Sequence, residues 1–289
     1  MLSIDVEEYF QVEAAVPGVS RDAWESYPRR LEPVVDRILD LLAARGVSAT
    51  FFVLGWVARH ERELVRRIAQ AGHEIASHGM HHDMIGRLSP EAFKQDLIDS
   101  REVLEDISGE LVVGYRAPTF SITRDTAWAL DVLSESGFLY DSSIFPIHHD
   151  RYGVPGAPRF AHRAIGPAGG SILEIPPLTL RLGKTNLPVG GGGYLRLLPV
   201  RLVGRALRAA ARHGCSGMIY LHPWELDPAQ PALPMARIAR WRHRLGLART
   251  ETKLRWLLDR FDFTGVRQCL DVLSDSALEV FDYGKNSGG

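Results

Sequence analysis

Several short polar clusters each follow an apolar run. They are Asp5-Val6-Glu7-Glu8, Ser77-His78-Gly79-Met80-His81-His82, Arg116-Ala117-Pro118 and His222-Pro223-Trp224-Glu225. Side chains alternate along a strand, so Asp5 and Glu7 share a face about 6–7 Å apart, while Glu8 points the other way unless the strand has already broken. His78 and His82 have i,i+4 spacing, which predicts two imidazoles on one face of a helical turn. With a carboxylate from the first run they make a two-His, one-carboxylate set with open positions, as a hydrolytic Zn2+ or a non-haem Fe2+ requires. A surface His-x-x-x-His pair is the plain alternative. Arg116 can orient Asp5 bidentately or close a rim salt bridge. His222, held by Pro223 and flanked by Trp224, suits a general acid or a satisfied structural histidine. Tyr140-Asp141-Ser142-Ser143-Ile144-Phe145-Pro146 suits a pocket wall or a buried turn.

The elements that must position these residues alternate between strand and helix. Leu2–Val6 reads as a strand, Leu31–Ala44 as an amphipathic helix closed by Gly46, and Ala49–Leu54 as a strand buried on both faces. A helix over Val57–Ala71, a strand at Glu74–Ala76 and a helix with Ser89 as N-cap and Pro90 in its first turn repeat the pattern. A strand at Val112–Tyr115, a helix capped by Thr123 and a strand at Phe138–Tyr140 continue it. From about 148 to 199 the regularity lapses into an elaborated Gly/Pro-rich loop region with one strand, Ile172–Ile175, and the run Gly190–Gly193. A helix over Val200–Arg212, a strand Met218–Leu221 and helices near Met235–Leu245 and Glu251–Asp259 follow. About seven strand–helix units favour a closed α/β barrel, with an open doubly wound sheet as runner-up. In either, active sites sit at the C-terminal strand ends, where the polar clusters stand.

Composition agrees with a globular enzyme. The 289 residues are 45% hydrophobic and 24% charged, which excludes collagen-like, coiled-coil and wholly disordered chains. Thirty-four Lys+Arg against 35 Asp+Glu give a net charge of -1, which removes the electrostatic case for nucleic acid or an anionic membrane as main partner. No apolar run approaches the length of a membrane span, and the start lacks a basic and apolar leader, so the cytoplasm is the expected compartment. Cys215 and Cys269 read as buried thiols. A single domain over 1–282 with a flexible tail over 283–289 is expected, and no oligomeric state follows.

Taken in order, the clusters with Ala49-Thr50-Phe51-Phe52-Val53-Leu54-Gly55 and Leu221-His222-Pro223 resemble the polysaccharide deacetylase family, the NodB homology domain. The likeness covers most of the chain. It is nearest the branch associated with exosortase and exopolysaccharide loci, through Asp141–Pro146, the Gly190–Gly193 run before Tyr194–Pro199, and His222-Pro223-Trp224-Glu225.

The resemblance implies a deformed (β/α)7 barrel and hydrolysis of an N-acetyl group from an amino-sugar oligo- or polysaccharide by water that a metal activates. It implies Asp5 as base, His222 as acid, Arg116 as the arginine that holds the base, and His78 and His82 as ligands of one divalent ion, Zn2+ first, with Co2+ or Ni2+ also suitable. The family's common pattern has two adjacent aspartates, whereas Asp5 is followed here by Val6 and Glu7, so Glu7 is the expected third ligand and Glu8 the alternative. Tyr9, Trp24, Phe120, Tyr194 and Trp224 are candidate sugar platforms or core residues, and Pro118 and Asp141 candidate groove residues. Alternatives are an amidohydrolase of a small, allantoin-like amide, a non-haem Fe2+ oxygenase, and a catalytically silent carbohydrate-binding domain.

Overall fold

The first strand, β1 (Leu2–Val6), is buried at all five positions. Burial on both faces explains its unbroken apolar pattern and calls for parallel neighbours with helices outside. Strands β2 (Thr50–Val53), β3 (Glu74–Ser77), β4 (Gly114–Tyr115) and β5 (Tyr140–Asp141) are likewise buried throughout. They pair in parallel in chain order, with Asp5 opposite Phe52, Phe52 opposite Ala76, Ser77 opposite Tyr115 and Tyr115 opposite Asp141. The computed structural model describes residues 1–149, 151–275 and 278–285.

Helices α1 (Leu31–Ala43), α2 (Gly55–His60), α3 (Arg62–Gln70), α4 (Pro90–Ser108) and α5 (Trp128–Glu135) lie between these strands. α1 turns Leu31, Val34, Val35, Ile38, Leu41 and Leu42 inward, and each such side chain contributes about 1.5–3 kcal/mol by leaving water. α4 starts where Ser89 accepts from the Ala92 N–H and stops at Gly109, whose φ is 72°. The single helix expected over Val57–Ala71 is two, because Glu61 adopts φ -128° and ψ 48° between α2 and α3. The Arg29 guanidinium holds that break by binding the His60 carbonyl and the Glu61 carboxylate. Thr123 does not cap α5: its N–H donates to Thr126 Oγ1 in the preceding turn, and α5 begins without a side-chain cap.

The second half adds β6 (His162–Ile165), β7 (Ser171–Glu174), the hairpin β8 (Thr179–Leu182) and β9 (Thr185–Pro188), α6 (Gly192–Leu197), α7 (Val200–Arg212) and β10 (Ile219–Leu221). After it come α8 (Arg237–Arg244), α9 (Thr250–Leu258), α10 (Leu270–Asp275) and β11 (Val280–Asp282). The region read as an elaborated loop thus holds β6–β9 and α6; strands of four residues are too short to show as an alternating pattern.

β7 lies parallel to β5 and β10 parallel to β1. Beyond β7, Pro177 bridges Met218 in parallel, and the Leu178 N–H donates to the Met218 carbonyl. That bridge joins the two ends of the sheet into a ring of seven strands, β1-β2-β3-β4-β5-β7-β10. The deformed (β/α)7 barrel therefore stands and the open sheet does not. β6, antiparallel to β7, and β11 beside it extend the sheet outside the ring. A Cβ on Gly191 would stand 1.9 Å from the Tyr220 carbonyl oxygen, so only glycine lets this segment run against β10.

Two smaller expectations are corrected. Tyr283 is 2% exposed and its hydroxyl meets His162 Nε2 at 2.7 Å, so no loose tail begins there; the end of the expected tail, 286–289, lies outside the described residues. Both cysteines are free and half-buried rather than buried. No helix among the described residues is long and apolar enough to cross a membrane.

Candidate active site

At the end of β1 the strand alternation holds. Asp5 and Glu7 both reach the C-terminal mouth of the ring, while Glu8 turns to α1, where Oε1 accepts the Arg30 N–H at 2.7 Å and the Leu31 N–H at 3.2 Å. Glu8 therefore caps a helix N-terminus. Burial pushes its carboxyl up to about 7 despite those donors.

His78 and His82 come together, although not on a helix. They stand on a loop in which Gly79 has φ 76° and His82 φ 59°. The N-terminal N–H groups of α2, on Gly55 and Trp56, donate to the Gly79 and Met80 carbonyls at 2.9 Å, and Asp96 accepts the Met80 N–H at 3.0 Å. A Cβ on Gly55 would lie 2.2 Å from Met80 Sδ, so a larger residue here would have to displace the Met80 side chain. Left-handed backbone at a non-glycine costs about 1 kcal/mol or more, sustained at His82 by the pinned loop. The two rings end 5.4 Å apart. His78 Nδ1 donates to the Arg116 carbonyl at 2.7 Å, which leaves Nε2 as the lone-pair nitrogen. Burial pulls the His78 pKa down to about 4 against the pull of Asp5, so the ring is neutral.

Ligand atoms of Glu7, His78 and His82 all lie within 4.8 Å of one another. Glu7 Oε2 is 2.7 Å from His82 Nε2 yet is a buried atom without a hydrogen-bond partner, as is His82 Nδ1. A buried carboxylate oxygen and two imidazoles converging on one point fit the donor set of a divalent cation. The other Glu7 oxygen accepts from Trp224 Nε1 at 3.0 Å. Burial opposes charge on Glu7, but His82, His222 and His78 outweigh it and hold the carboxyl well below the usual range.

Arg116 is fully buried. Its Nη1 donates to Asp5 Oδ1 at 2.6 Å and to Ser3 Oγ at 2.8 Å, Nη2 to Ser142 Oγ at 2.8 Å, and Nε to the Ser142 carbonyl at 3.1 Å. The expected bidentate clasp is thus a single bond, because the remaining donors are taken by Ser3 and Ser142. Asp5 Oδ2 takes no hydrogen bond from the guanidinium.

His222 stands at the end of β10 with Nε2 3.8 Å from Asp5 Oδ2 and 3.7 Å from Glu7 Oε1. Its Nδ1 and its backbone N–H both meet Glu225 Oε2 at 3.0 Å, and Arg196 Nε donates to Glu225 Oε1 at 2.7 Å. Burial opposes protonation of His222, but Glu7, Glu225 and Asp5 prevail and raise its pKa to about 9. Glu225 and Arg196 were not anticipated as site residues. Glu225 is legible as a residue three after a strand-end histidine; Arg196, in an irregular stretch, carries no such signal.

The expected sugar-binding residues divide. Tyr9 is 1% exposed and packs on Phe10, with Trp24 in the same aromatic group. Trp224 lies between the rings of His222 at 5.2 Å and His243 at 4.5 Å. Asp141 is fully buried, opposite Glu174 in the sheet, and accepts from Ser143 Oγ, so it does not face the opening. Phe120 stands 5.4 Å from the Arg116 guanidinium and packs with Tyr220 and Phe145, and half-buried Tyr194 joins that group. Pro118 lies buried in the turn that delivers Phe120.

Residues 23–138 match the family described as polysaccharide deacetylase. That segment belongs to the polysaccharide deacetylase family. The matched segment carries His78, His82 and Arg116. Residues 142–271, with Arg196, His222 and Glu225, match a domain of unknown function, DUF3473. A chitooligosaccharide deacetylase of Rhizobium leguminosarum bv. trifolii is 35% identical over 112 residues, covering 39% of this chain and 48% of that protein. A peptidoglycan-N-acetylglucosamine deacetylase of Bacillus cereus is 31% identical over 96 residues, covering 33% of this chain and 35% of that protein. These polysaccharide deacetylase alignments thus span about half or less of the curated relatives. A crystal structure from Mycobacterium smegmatis assigned to the polysaccharide deacetylases superposes with a TM-score of 0.60 at 22% identity, covering 96% of this chain and 92% of that one, which shows the shared fold.

Proposed function

We propose that this protein hydrolyses the N-acetyl amide of an amino-sugar polymer, an exopolysaccharide or its precursor, to acetate and a free amine. The observation that carries the reading is the meeting of Asp5 Oδ2 and His222 Nε2, 3.8 Å apart, beside the Glu7, His78 and His82 cluster. Those are a proton acceptor and a proton donor at one point, as amide hydrolysis needs. The names of the Rhizobium and Bacillus relatives support N-acetylated amino sugars as the substrate class.

Glu7, His78 and His82 would hold one divalent metal, with Zn2+ the first choice for two imidazoles and a carboxylate, and Co2+ or Ni2+ as substitutes. Such an ion, when bound, polarises the amide carbonyl and makes water a stronger nucleophile. Asp5 takes the proton of the attacking water on Oδ2, since Arg116 occupies Oδ1. His222 gives the Nε2 proton to the departing nitrogen, so that the C–N bond breaks to a neutral amine. Glu225, fixed by Arg196, keeps the His222 ring turned so that Nε2 faces the reacting group. Substrate approaches past His222, whose side chain is 18% exposed against 2% for Asp5 and 3% for Glu7.

The test is acetate release from N-acetylglucosamine oligomers by protein as purified, after chelation, and after restoring Zn2+, Co2+ or Ni2+. Release lost with chelator and regained with metal is expected. No acetate under any condition, with metal shown to be bound, overturns the reading in favour of a small amide substrate or a silent carbohydrate-binding domain.

A further inference from the structure

The chain-wide charge balance conceals a local excess. Residues 228–250 contain five arginines and no Asp or Glu. The acidic residues that flank this stretch are already engaged, Asp227 with Arg30 and Glu251 with Arg255. Among the described residues, none of Arg237, Arg240, Arg242, Arg244 and Arg249 pairs with a carboxylate.

Helix α8 arranges this charge around an apolar stripe. At 3.6 residues per turn, Trp241, Leu245 and Ile238 fall on one side of the helix, with Arg237, Arg240 and Arg244 along one edge and Arg242 along the other. Ile238 is 68% and Trp241 62% exposed. The opposite side, through half-buried Ala239 and buried His243, packs on the domain. Arg237, Arg240, Trp241, Arg244 and Leu245 line a shallow hollow of about 410 Å³.

We propose that α8 docks the protein on an anionic lipid surface, with Trp241 and Ile238 entering the interface and the arginines meeting headgroup phosphates. An exposed tryptophan beside isoleucine, bordered on both sides by guanidiniums that have no carboxylate partner, Arg240 and Arg244 donating only to backbone carbonyls, matches an interfacial helix, whose affinity adds apolar burial to attraction for anionic lipid. A site for soluble polyanions has no use for the apolar stripe.

The docking helix is built onto the wall of the site. Arg196 Nη1 donates to the His243 and Leu245 carbonyls at 2.8 Å and so caps the end of α8, while its Nε holds Glu225. The His243 ring stacks on Trp224, which stacks on His222. Docking through α8 fixes how the mouth of the barrel is presented to a substrate held at a membrane. The lipid contact itself does not rest on the deacetylase reading.

The experiment is co-sedimentation of the full chain with phosphatidylcholine vesicles and with phosphatidylcholine vesicles containing phosphatidylglycerol. Binding to the anionic vesicles alone is expected. Arg237→Glu with Arg242→Glu should weaken it on the order of tenfold or more, and Trp241→Ala should weaken it with no change in the circular dichroism spectrum. These side chains are exposed and outside the core, and acetate release from soluble oligomers should not change. Absence of binding to anionic vesicles overturns the proposal. So does binding that Trp241→Ala leaves intact and dextran sulfate displaces, which would make the patch a polyanion site.

Discussion

The indole N–H of Trp224 donates to Glu7 Oε1 at 3.0 Å. A residue that reads in sequence as a sugar platform instead fixes one oxygen of the cluster carboxylate and leaves the other to face the imidazoles. Hydrogen bonds of this kind orient a ligand and raise its affinity for metal. Trp224→Phe keeps the ring between His222 and His243 but removes the donor. The expected outcome, read by competition with a chromogenic chelator, is a loss of metal affinity of about tenfold to a hundredfold.

Glu7 and Glu8 should separate cleanly. Glu7→Ala removes a cluster carboxylate, and metal content measured by atomic emission should fall well below one per chain. Glu8→Ala removes the cap of α1, so metal content should stay while stability falls by about 1 kcal/mol in urea denaturation. The reverse pattern would place the wrong carboxylate in the site.

Glu225→Gln keeps an acceptor for the His222 N–H but weakens the hold on the ring and leaves Arg196 without its carboxylate. Turnover of an N-acetylglucosamine oligomer should drop on the order of 10², with metal content unchanged and KM little affected. An unaltered kcat would remove Glu225 from the positioning of His222.

His162 makes stability depend on pH. Its ring is buried between the Phe160 carbonyl, at 2.9 Å from Nδ1, and the Tyr283 hydroxyl. Burial lowers its pKa from 6.5 to about 4. The unfolded chain therefore binds a proton between these values that the folded chain refuses. This contribution is whole above pH 6.5 and is lost as pH falls toward 4, by up to about 3 kcal/mol. His162→Asn should be less stable than the parent at pH 7.5, and the gap should narrow by pH 5 in urea titrations. Comparing the two proteins cancels buried acids such as Asp96, whose pKa burial raises to about 7 and which act in the opposite direction.

What could be read along the chain was what depends on neighbours in sequence. Strand alternation put Asp5 and Glu7 on one face and Glu8 on the other, and the apolar run before His222 placed it at a strand end. The Ser89-Pro90 start of α4 was legible for the same reason, since a cap is made within one turn. His82 was less so, because the expected helical turn is replaced by a left-handed backbone that α2 and Asp96 hold in place.

Sequence alone determined the alternating strands and helices, the polar side chains at the strand ends and the shared face of Asp5 and Glu7, because these follow from side-chain type and local period. Only the tertiary structure decided that the sheet closes through Pro177 and Met218, that Arg116 shares itself among Ser3, Asp5 and Ser142, and that Arg196 stands behind Glu225. Each of those contacts joins residues 26 or more positions apart. Local propensity carries no information about such a pairing, and the packing of the barrel selects it.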